Sequence, residues 1–372
     1  MDIFEAIAVT QDRLAQEGAD LAELLGHLRG GVSSALIGER EWQRVLDCAR
    51  ELPITMGAQP FGFELPLHDR RPRADFGTSL ASGNRSGDFF EERAHRGEGD
   101  ETARAITRLF AQMEAGNSAL REVVGRKLML EYDIGSSQDG DGSMPGLFLR
   151  PNERTLFGGA GLDQDVGTVV DALVSCVGWE PLADERRNVQ QVYLAQPDDT
   201  RMDSFGVFPF RERSIRLAVM GFKTPGEVRA FLARLHWPGD LSVVEAALTR
   251  LNERTGVERT GLNLDVGAGG LGPTLGLTPI VKQRYADDPR SWIDGLTDWQ
   301  PLLDALRGEE WVVAEKIQAL GDWTSKPTTL FAKTGRFIML SGIHHIKLVV
   351  AGDRLERAKG YIYMVLSGAL SV

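Results

Sequence analysis

Side chains that can bind anions or exchange protons recur at every second position near the end of the chain. His345 and Lys347 follow this period in one segment, and Lys359, Tyr361 and Tyr363 follow it in the next. Residues two apart lie on one face of a β-strand, so each set shares a face. An ammonium group binds anions and an imidazole exchanges a proton near neutral pH. The pattern therefore predicts a strand pair with a chemically capable polar face.

A pair of segments with this two-residue period recurs about five times along the chain. Each pair follows a segment in which apolar residues have the spacing of a helix. Connections within each pair favour antiparallel neighbours. A sheet of about ten strands would expose two edges, and closure into a barrel removes both. The predicted strand pairs are 61–67 with 74–80, 127–133 with 146–150, 204–210 with 214–220, 260–266 with 275–282, and 343–350 with 358–365.

These elements predict an α+β fold: a closed antiparallel β-barrel of about ten strands, built from repeated α-α-β-β units with the helices outside. We expect one domain over 1–372, with a helical N-terminal part at 1–55. The segment Ser82–Asp100 is rich in glycine and charge without a period, which predicts a surface loop. Leucines at the alternate strand positions are expected under the helices: Leu65, Leu128, Leu130, Leu217, Leu264 and Leu348.

Charged positions of the same strands are then expected inside the barrel: Glu64, Glu131, Arg216, Asp265, Lys347 and Lys359, together with Tyr361. The adjacent histidines His344 and His345 resemble a metal-binding pair in composition. Neighbouring residues of a regular strand point to opposite faces, however, so they are not expected to share one ion. Two interpretations of His345 stay open: an acid or base in the lumen, and an ordinary packed histidine.

Bulk composition excludes several classes of protein. The formal net charge of −11 argues against a nucleic-acid partner. Two cysteines, Cys48 and Cys176, provide neither a disulfide framework nor a cysteine-based zinc site. The sequence shows no secretory signal, no apolar run long enough for a membrane span, and no P-loop, Gly-x-Ser-x-Gly or His-Glu-x-x-His motif. We therefore expect a cytoplasmic protein whose basic residues act inside a pocket.

Unit order and two short motifs resemble the ABBA, or PT-barrel, prenyltransferases: the dimethylallyltryptophan-synthase-like enzymes and, more distantly, the cyanobactin peptide prenyltransferases. Gln59–Leu65 resembles the family's first strand, where a glutamate binds the acceptor's N–H, and this role maps onto Glu64. Lys359-Gly360-Tyr361 resembles the recurrent Lys-x-Tyr of the diphosphate-binding strands. Arg216 lies where these enzymes carry a cation in the third strand pair. The likeness spans roughly residue 40 to the end.

The resemblance implies transfer of an allylic isoprenoid from its diphosphate, the co-substrate, to an aromatic, indole or guanidino group of a small molecule or ribosomal peptide. It implies no further cofactor and leaves open whether Mg²⁺ takes part. Cations would bind the diphosphate, and Tyr361 and Tyr363 would line the carbocation site. The candidate catalytic residues are Glu64, His345 and Tyr361. The candidate binding residues are Arg216, Lys282, Lys347, Lys359, Tyr363, Glu131 and Asp265.

Two departures from the family pattern keep other functions open. The strand 146–150 has no Lys-x-Tyr, and Glu131 and Asp265 place acidic groups in the lumen. The alternatives are a diphosphate-free enzyme that modifies a peptide or natural product, and a non-catalytic peptide-binding barrel. Four lumen cations around one point would favour diphosphate binding, whereas cations interleaved with acids would favour the alternatives.

Overall fold

The computed structural model describes residues 3–97, 100–134, 144–282, 296–323 and 327–368. Helices in these ranges are α1 Ile3–Leu14, α2 Leu21–Leu28, α3 Glu39–Ala49, α4 Arg85–His95, α5 Glu101–Glu114, α6 Ala119–Val124, α7 Asp163–Cys176, α8 Ala183–Ala195, α9 Pro225–Arg234, α10 Leu241–Thr255, α11 Leu296–Gly308 and α12 Ala314–Gly321. Strands are β1 Phe61–Pro66, β2 Asp75–Ala81, β3 Lys127–Tyr132, β4 Gly146–Leu149, β5 Arg201–Val207, β6 Ile215–Phe222, β7 Thr260–Gly267, β8 Gly270–Pro279, β9 Thr328–Ala332, β10 Gly335–Ala351 and β11 Arg354–Ser367. Two or three helices precede each group of strands.

Ten of the strands close into one antiparallel barrel. Neighbouring strands pair in sequence from β1 to β8, β8 pairs with β10, β10 pairs with β11, and β11 pairs with β1. Strand β9 lies outside this ring, because it pairs with Gly335–Met339 at the start of β10, whereas β8 pairs with Leu348–Ala351 at its end. The predicted closed barrel of about ten strands with external helices is confirmed. Strand β9 and the early part of β10 were not predicted.

Alternation along the strands separates an apolar outer face from a polar lumen. The six leucines predicted under the helices are each at most 1% exposed: Leu65, Leu128, Leu130, Leu217, Leu264 and Leu348. Burying one such side chain contributes about 1.5–3 kcal/mol. Phe63 of β1 contacts Trp42 of α3, with ring centroids 5.7 Å apart, so the outer face packs directly on the helices. The predicted outward faces are confirmed for these residues.

Helix starts follow their capping residues. Before α9, the Thr224 hydroxyl accepts the Glu227 N–H at 3.1 Å. The loop predicted over Ser82–Asp100 is wrong, because this segment contains α4. There the Asn84 side chain accepts backbone N–H groups from the first turn, and buried Phe90 packs inward, which together outweigh the high glycine content. Among the described helices, none combines the length and apolarity needed to cross a bilayer.

Candidate active site

A carboxylate, an ammonium group and a phenol meet in the lumen where β1 pairs with β11. Glu64 lies opposite Tyr361 in this register and is 6% exposed. Lys359 Nζ donates to Glu64 Oε1, and the Tyr361 hydroxyl donates to Oε2. Burial favours the protonated acid, but the ammonium groups of Lys359 and Lys347 and both hydrogen bonds lower the pKa of Glu64 to about 2. Glu64 is therefore an anion at neutral pH.

Lys347 reaches the same cluster from β10. It lies directly across from Lys359, and its Nζ is 4.7 Å from the centroid of the Tyr361 ring. Burial and the positive charges of Lys359 and Arg216 lower the pKa of Lys347, whereas the negative charge of Glu64 raises it. The resulting pKa of Lys347 is about 8. Lys347 forms no salt bridge with a carboxylate in the described ranges. It is therefore the cluster's ammonium group most available to an anionic ligand.

Arg216 and Asp265 form a second ion pair in the lumen. They lie directly opposite each other on β6 and β7, with Nε–Oδ1 at 2.8 Å and Nη2–Oδ2 at 3.0 Å. Burial opposes the charged form, but the hydrogen bond and charge of Asp265 raise the pKa of Arg216. A two-pronged contact fixes the guanidinium orientation and uses two of its donors. Asp265 thus neutralises Arg216 and holds it in place.

Glu131 faces both ion pairs from β3. It is half-buried, and its side chain forms no hydrogen bond or salt bridge with any residue in the described ranges. Burial and the negative charge of Glu64 raise the pKa of Glu131 to about 7, against the opposing positive charges of Lys347, Arg216 and Lys359. These perturbing groups come from four other strands around the barrel. Glu131 therefore points into the shared lumen.

His344 and His345 meet on the same side of β10. A β-bulge between Ile343 and His345 adds one residue to this strand, so the expected alternation fails here. The two Nδ1 atoms are 2.6 Å apart, which requires one nitrogen to donate and the other to accept. His345 also stacks on Tyr361, with centroids 4.0 Å apart and an interplanar angle of 14°. The expectation that the two rings must point to opposite faces was wrong, and His345 contacts the Glu64 cluster through Tyr361.

Two further predicted binding residues are Lys282 and Tyr363. Lys282 comes three residues after Pro279, where β8 ends, so its predicted place on a strand is wrong. Proline has no N–H with which to continue a strand ladder. Tyr363 is 4% exposed, and its ring meets the His344 ring edge-on with centroids 6.3 Å apart. In the described ranges, the cations that act on Glu131 in the lumen centre are Arg216, Lys347 and Lys359.

Aromatic rings without a predicted role fill the lumen on the β4–β5 side. Phe148 meets Phe208 edge-to-face, with centroids 5.3 Å apart. A Cβ on Gly206 would lie 2.2 Å from the Phe148 ring, and one on Gly146 would lie 2.5 Å from the Phe208 ring. The glycines therefore make room for the rings. The sequence does contain a signal for Phe148, because this residue alternates with Leu147 and Leu149 and therefore lies on the face that points into the lumen. We name Glu64, Glu131, Lys347, Lys359 and Tyr361 the charged side, and Gly146, Phe148, Gly206 and Phe208 the aromatic side.

The lumen carboxylates Glu64, Asp265 and Glu131 differ in whether their oxygens are available to a Mg²⁺ ion, since only the Glu131 carboxyl forms no hydrogen bond in the described ranges. Mg²⁺ takes octahedral oxygen ligands, usually including one or two carboxylates. Both oxygens of Asp265 contact Arg216, and both oxygens of Glu64 contact Lys359 or Tyr361. No group of three or more His, Cys, Asp or Glu side chains in the described ranges is arranged for a metal.

Comparison with known proteins identifies the architecture. No family model and no curated protein matches the chain. The crystal structure of apo prenyltransferase PriB matches with a TM-score of 0.52 and 13% identity, covering 93% of this chain and 96% of that chain. The structure of PriB in ternary complex with L-tryptophan and dimethylallyl thiolodiphosphate matches with a TM-score of 0.50 and 14% identity. It covers 92% of this chain and 96% of that chain.

A third structure, 5-dimethylallyl tryptophan synthase from Streptomyces coelicolor in complex with DMASPP and Trp, matches with a TM-score of 0.51 and 13% identity. It covers 93% of this chain and 95% of that chain. The chain therefore has the ABBA, or PT-barrel, fold of these prenyltransferases, as the resemblance predicted. At these identities the likeness concerns the architecture.

Proposed function

We propose that this protein transfers an allylic prenyl group from its diphosphate to an aromatic acceptor, with an indole as the first acceptor to test. The observation that carries the proposal is an ionised Glu64 held by Lys359 and Tyr361 inside a PT barrel. The family resemblance gives a glutamate at this position the role of binding the acceptor's N–H. Each carboxylate oxygen has two lone pairs, so Glu64 keeps the capacity to accept that hydrogen bond.

The donor's diphosphate would bind among the three lumen cations. Lys347 offers an ammonium group with no carboxylate partner in the described ranges, whereas Lys359 and Arg216 would share their donors with Glu64 and Asp265. Charge-assisted hydrogen bonds to the leaving group stabilise the negative charge that develops as the C–O bond breaks. Lys347 is therefore the principal proposed donor contact.

The carbocation formed by this cleavage needs walls that exclude water. Tyr361 supplies an aromatic ring on the charged side, with His345 stacked on it, and Phe148 and Phe208 supply rings on the other side. Ring faces stabilise a cation electrostatically, and packed rings exclude water that would intercept it. The two sides together support a role in allylic transfer.

Pairing of the charges also supports the second candidate, a diphosphate-free enzyme or a peptide-binding barrel. Arg216 is neutralised by Asp265, and Lys359 is neutralised by Glu64. These cations are interleaved with acids, and Lys282 does not join them on a strand. A diphosphate must therefore compete with two carboxylates for two of its three cations.

A direct transfer assay separates the candidates. Wild-type protein is incubated with dimethylallyl diphosphate and L-tryptophan, and mass spectrometry detects tryptophan that carries one added dimethylallyl group. We expect Glu64→Gln to retain donor binding and lose transfer, because a neutral amide accepts the acceptor's hydrogen bond more weakly. Glu122→Gln, at an exposed position of α6, is the matched control. Absence of both product and donor binding in the wild type would favour the second candidate.

A further inference from the structure

Two carboxyl groups of the charged side have opposite surroundings. Glu64 accepts hydrogen bonds from an ammonium group and a phenol. Glu131, whose pKa the negative charge of Glu64 raises, has a side chain with neither a hydrogen bond nor an ion pair in the described ranges. When two titratable groups are held in environments this different, one serves as a fixed charge and the other is free to exchange a proton.

The strands beside Glu131 leave space around its carboxyl group. Its neighbour across β2 is Gly77, and its neighbour across β4 is Gly146. Neither glycine has a side chain that could bond to the carboxyl, and a Cβ on Gly77 would meet nothing closer than 3.8 Å. The Phe208 ring covers Gly146 and walls the space on that side. Glu131 thus lies in a niche that a ligand's ring can approach.

We infer that Glu131 is the acid–base group of this site and accepts the proton that the aromatic ring loses, while Glu64 binds the acceptor without exchanging a proton. The inference rests on the proposed transfer reaction. It assigns Glu131 a catalytic role that differs from the substrate-binding role expected from the sequence.

The proposed reaction balances with this residue as the base. The donor's C–O bond breaks, and its electron pair stays on the diphosphate. A bond forms between the allylic carbon and the aromatic ring, and the ring's displaced proton moves to the ionised Glu131. Glu131 then releases the proton to water or to the departing diphosphate. No oxidant or further co-reactant is required.

The charges around the two carboxyl groups support this division of roles. Glu64 is a weak base, because its pKa lies near 2 and both of its oxygens already accept hydrogen bonds. Glu131 has a pKa near 7, where a general base is most effective at neutral pH. The charged groups that act on Glu131 are Glu64 from β1, Arg216 from β6, Lys347 from β10 and Lys359 from β11.

Infrared difference spectroscopy tests the proton directly and needs no substrate. The C=O stretch of a protonated carboxylic acid should disappear with a midpoint near pH 7 in the wild type and in Glu122→Gln. The same band should be missing in Glu131→Gln. Loss of the carboxylic acid signal below pH 5 in the wild type would overturn the inference, because Glu131 would then be ionised throughout the working range.

Kinetics test the catalytic role. We expect Glu131→Gln to lower the transfer rate by about a hundredfold to ten-thousandfold, the range for a general base, and to remove the rise in rate between about pH 6 and 8. Glu131→Asp should restore part of the rate and retain a pH-dependent limb. A Glu131→Gln variant with wild-type rate and pH profile would overturn the inference while leaving the proposed function intact.

Failure of the proposed function has a different signature. If the wild type neither binds nor consumes an allylic diphosphate, prenyl transfer is excluded and Glu131 has no role in it. The infrared titration then still decides whether Glu131 is an acid–base group. A midpoint near pH 7 would keep that assignment for a diphosphate-free reaction on the same barrel, and a midpoint below pH 5 would remove it.

Discussion

The charged and aromatic sides of the lumen are built by opposite means. On the charged side, unlike groups are held close together: Lys347 lies across from Lys359, and Glu64 accepts hydrogen bonds from Lys359 and Tyr361. Like charges directly opposite each other on a sheet are destabilising unless an opposite charge compensates them. On the aromatic side, Gly206 makes room for a phenyl ring instead.

This difference indicates where chemistry can occur. Glu64, Glu131 and Lys347 have shifted pKa values because burial and neighbouring charges act on them, and such shifts concentrate at functional sites. The rings of the aromatic side carry no charge, so their contribution is shape and the exclusion of water. A ligand between the two sides would meet reactive groups on one face and packed rings on the other. The following predictions test each side separately.

The largest expected effect is on stability, from removal of the ammonium group that bonds to Glu64. Lys359→Met leaves the nearly buried Glu64 carboxylate without its hydrogen-bonded cation. We expect a loss of about 2–4 kcal/mol in the free energy of unfolding, because an uncompensated buried charge is costly. Urea denaturation measures this change, with surface Lys223→Met as the matched control. Equal stability of the two variants would show that the Glu64–Lys359 pair is not needed for folding.

Lys347→Met should change activity rather than stability. Lys347 has no carboxylate partner in the described ranges, so its truncation leaves no ion pair broken. Loss of one charge-assisted contact to the diphosphate should cost about 2–4 kcal/mol of transition-state stabilisation, roughly a thirtyfold to several-hundredfold loss in rate. Steady-state kinetics with dimethylallyl diphosphate provide the test, again beside Lys223→Met. An unchanged rate would remove Lys347 from the donor site.

On the aromatic side, a single added methyl group should lower the free energy of unfolding. Gly206→Ala places a Cβ against the Phe148 ring, and overpacking of this kind costs about 1–3 kcal/mol. Gly26→Ala is the matched control, because α2 contains Gly26 and nothing lies within 4 Å of its added Cβ. The control should instead stabilise by about 0.5–1 kcal/mol. Thermal unfolding that moved both variants in the same direction would contradict the packed lumen wall.

The two carboxyl groups should affect the pH dependence of stability with opposite signs. Glu64 has a folded-state pKa below its unfolded value of about 4.3, so its stabilisation is present above that pH and is lost as pH falls toward 2. Glu131 has a raised pKa, so the native state binds more protons than the unfolded state, and stability falls as pH rises from about 4 to 7.

Consequently, at pH 8 Glu131→Gln should be more stable than the wild type by on the order of 1 kcal/mol, after allowance for its partial exposure, and Glu64→Gln should be less stable. The Glu131→Gln gain should vanish near pH 4. Urea denaturation across this pH range supplies the measurement. Parallel pH profiles for the wild type and Glu131→Gln would show that the Glu131 carboxyl has an ordinary environment.

The strand period predicted the barrel and the faces of its residues, because alternation depends only on neighbouring positions. It could not predict the bulge at His344, where one extra residue places two histidines together. It also extended a strand to Lys282, beyond the proline that ends β8. The pattern along one segment of sequence predicts the strand and the face on which a residue lies. It does not predict the distance between that residue and a residue on another strand.

The relation between Glu64 and Glu131 depends on such a distance. These residues are 67 positions apart in sequence, on strands β1 and β3 that both pair with β2, so the register of three strands brings their charges into one space. The pairing of Arg216 with Asp265 likewise required the register of β6 with β7. Residue types on a face were predictable, whereas the separation into paired and unpaired charges was not.

Calorimetric titration with dimethylallyl thiolodiphosphate tests the central claim, that the charged side binds an allylic diphosphate, most directly. The wild type should bind this analogue, and Lys347→Met should bind it at least tenfold more weakly, since about 1.4 kcal/mol corresponds to a factor of ten. Glu64→Gln should bind it at least as tightly as the wild type, because Lys359 loses a competing carboxylate. Absence of heat from the wild type at millimolar analogue would contradict the claim.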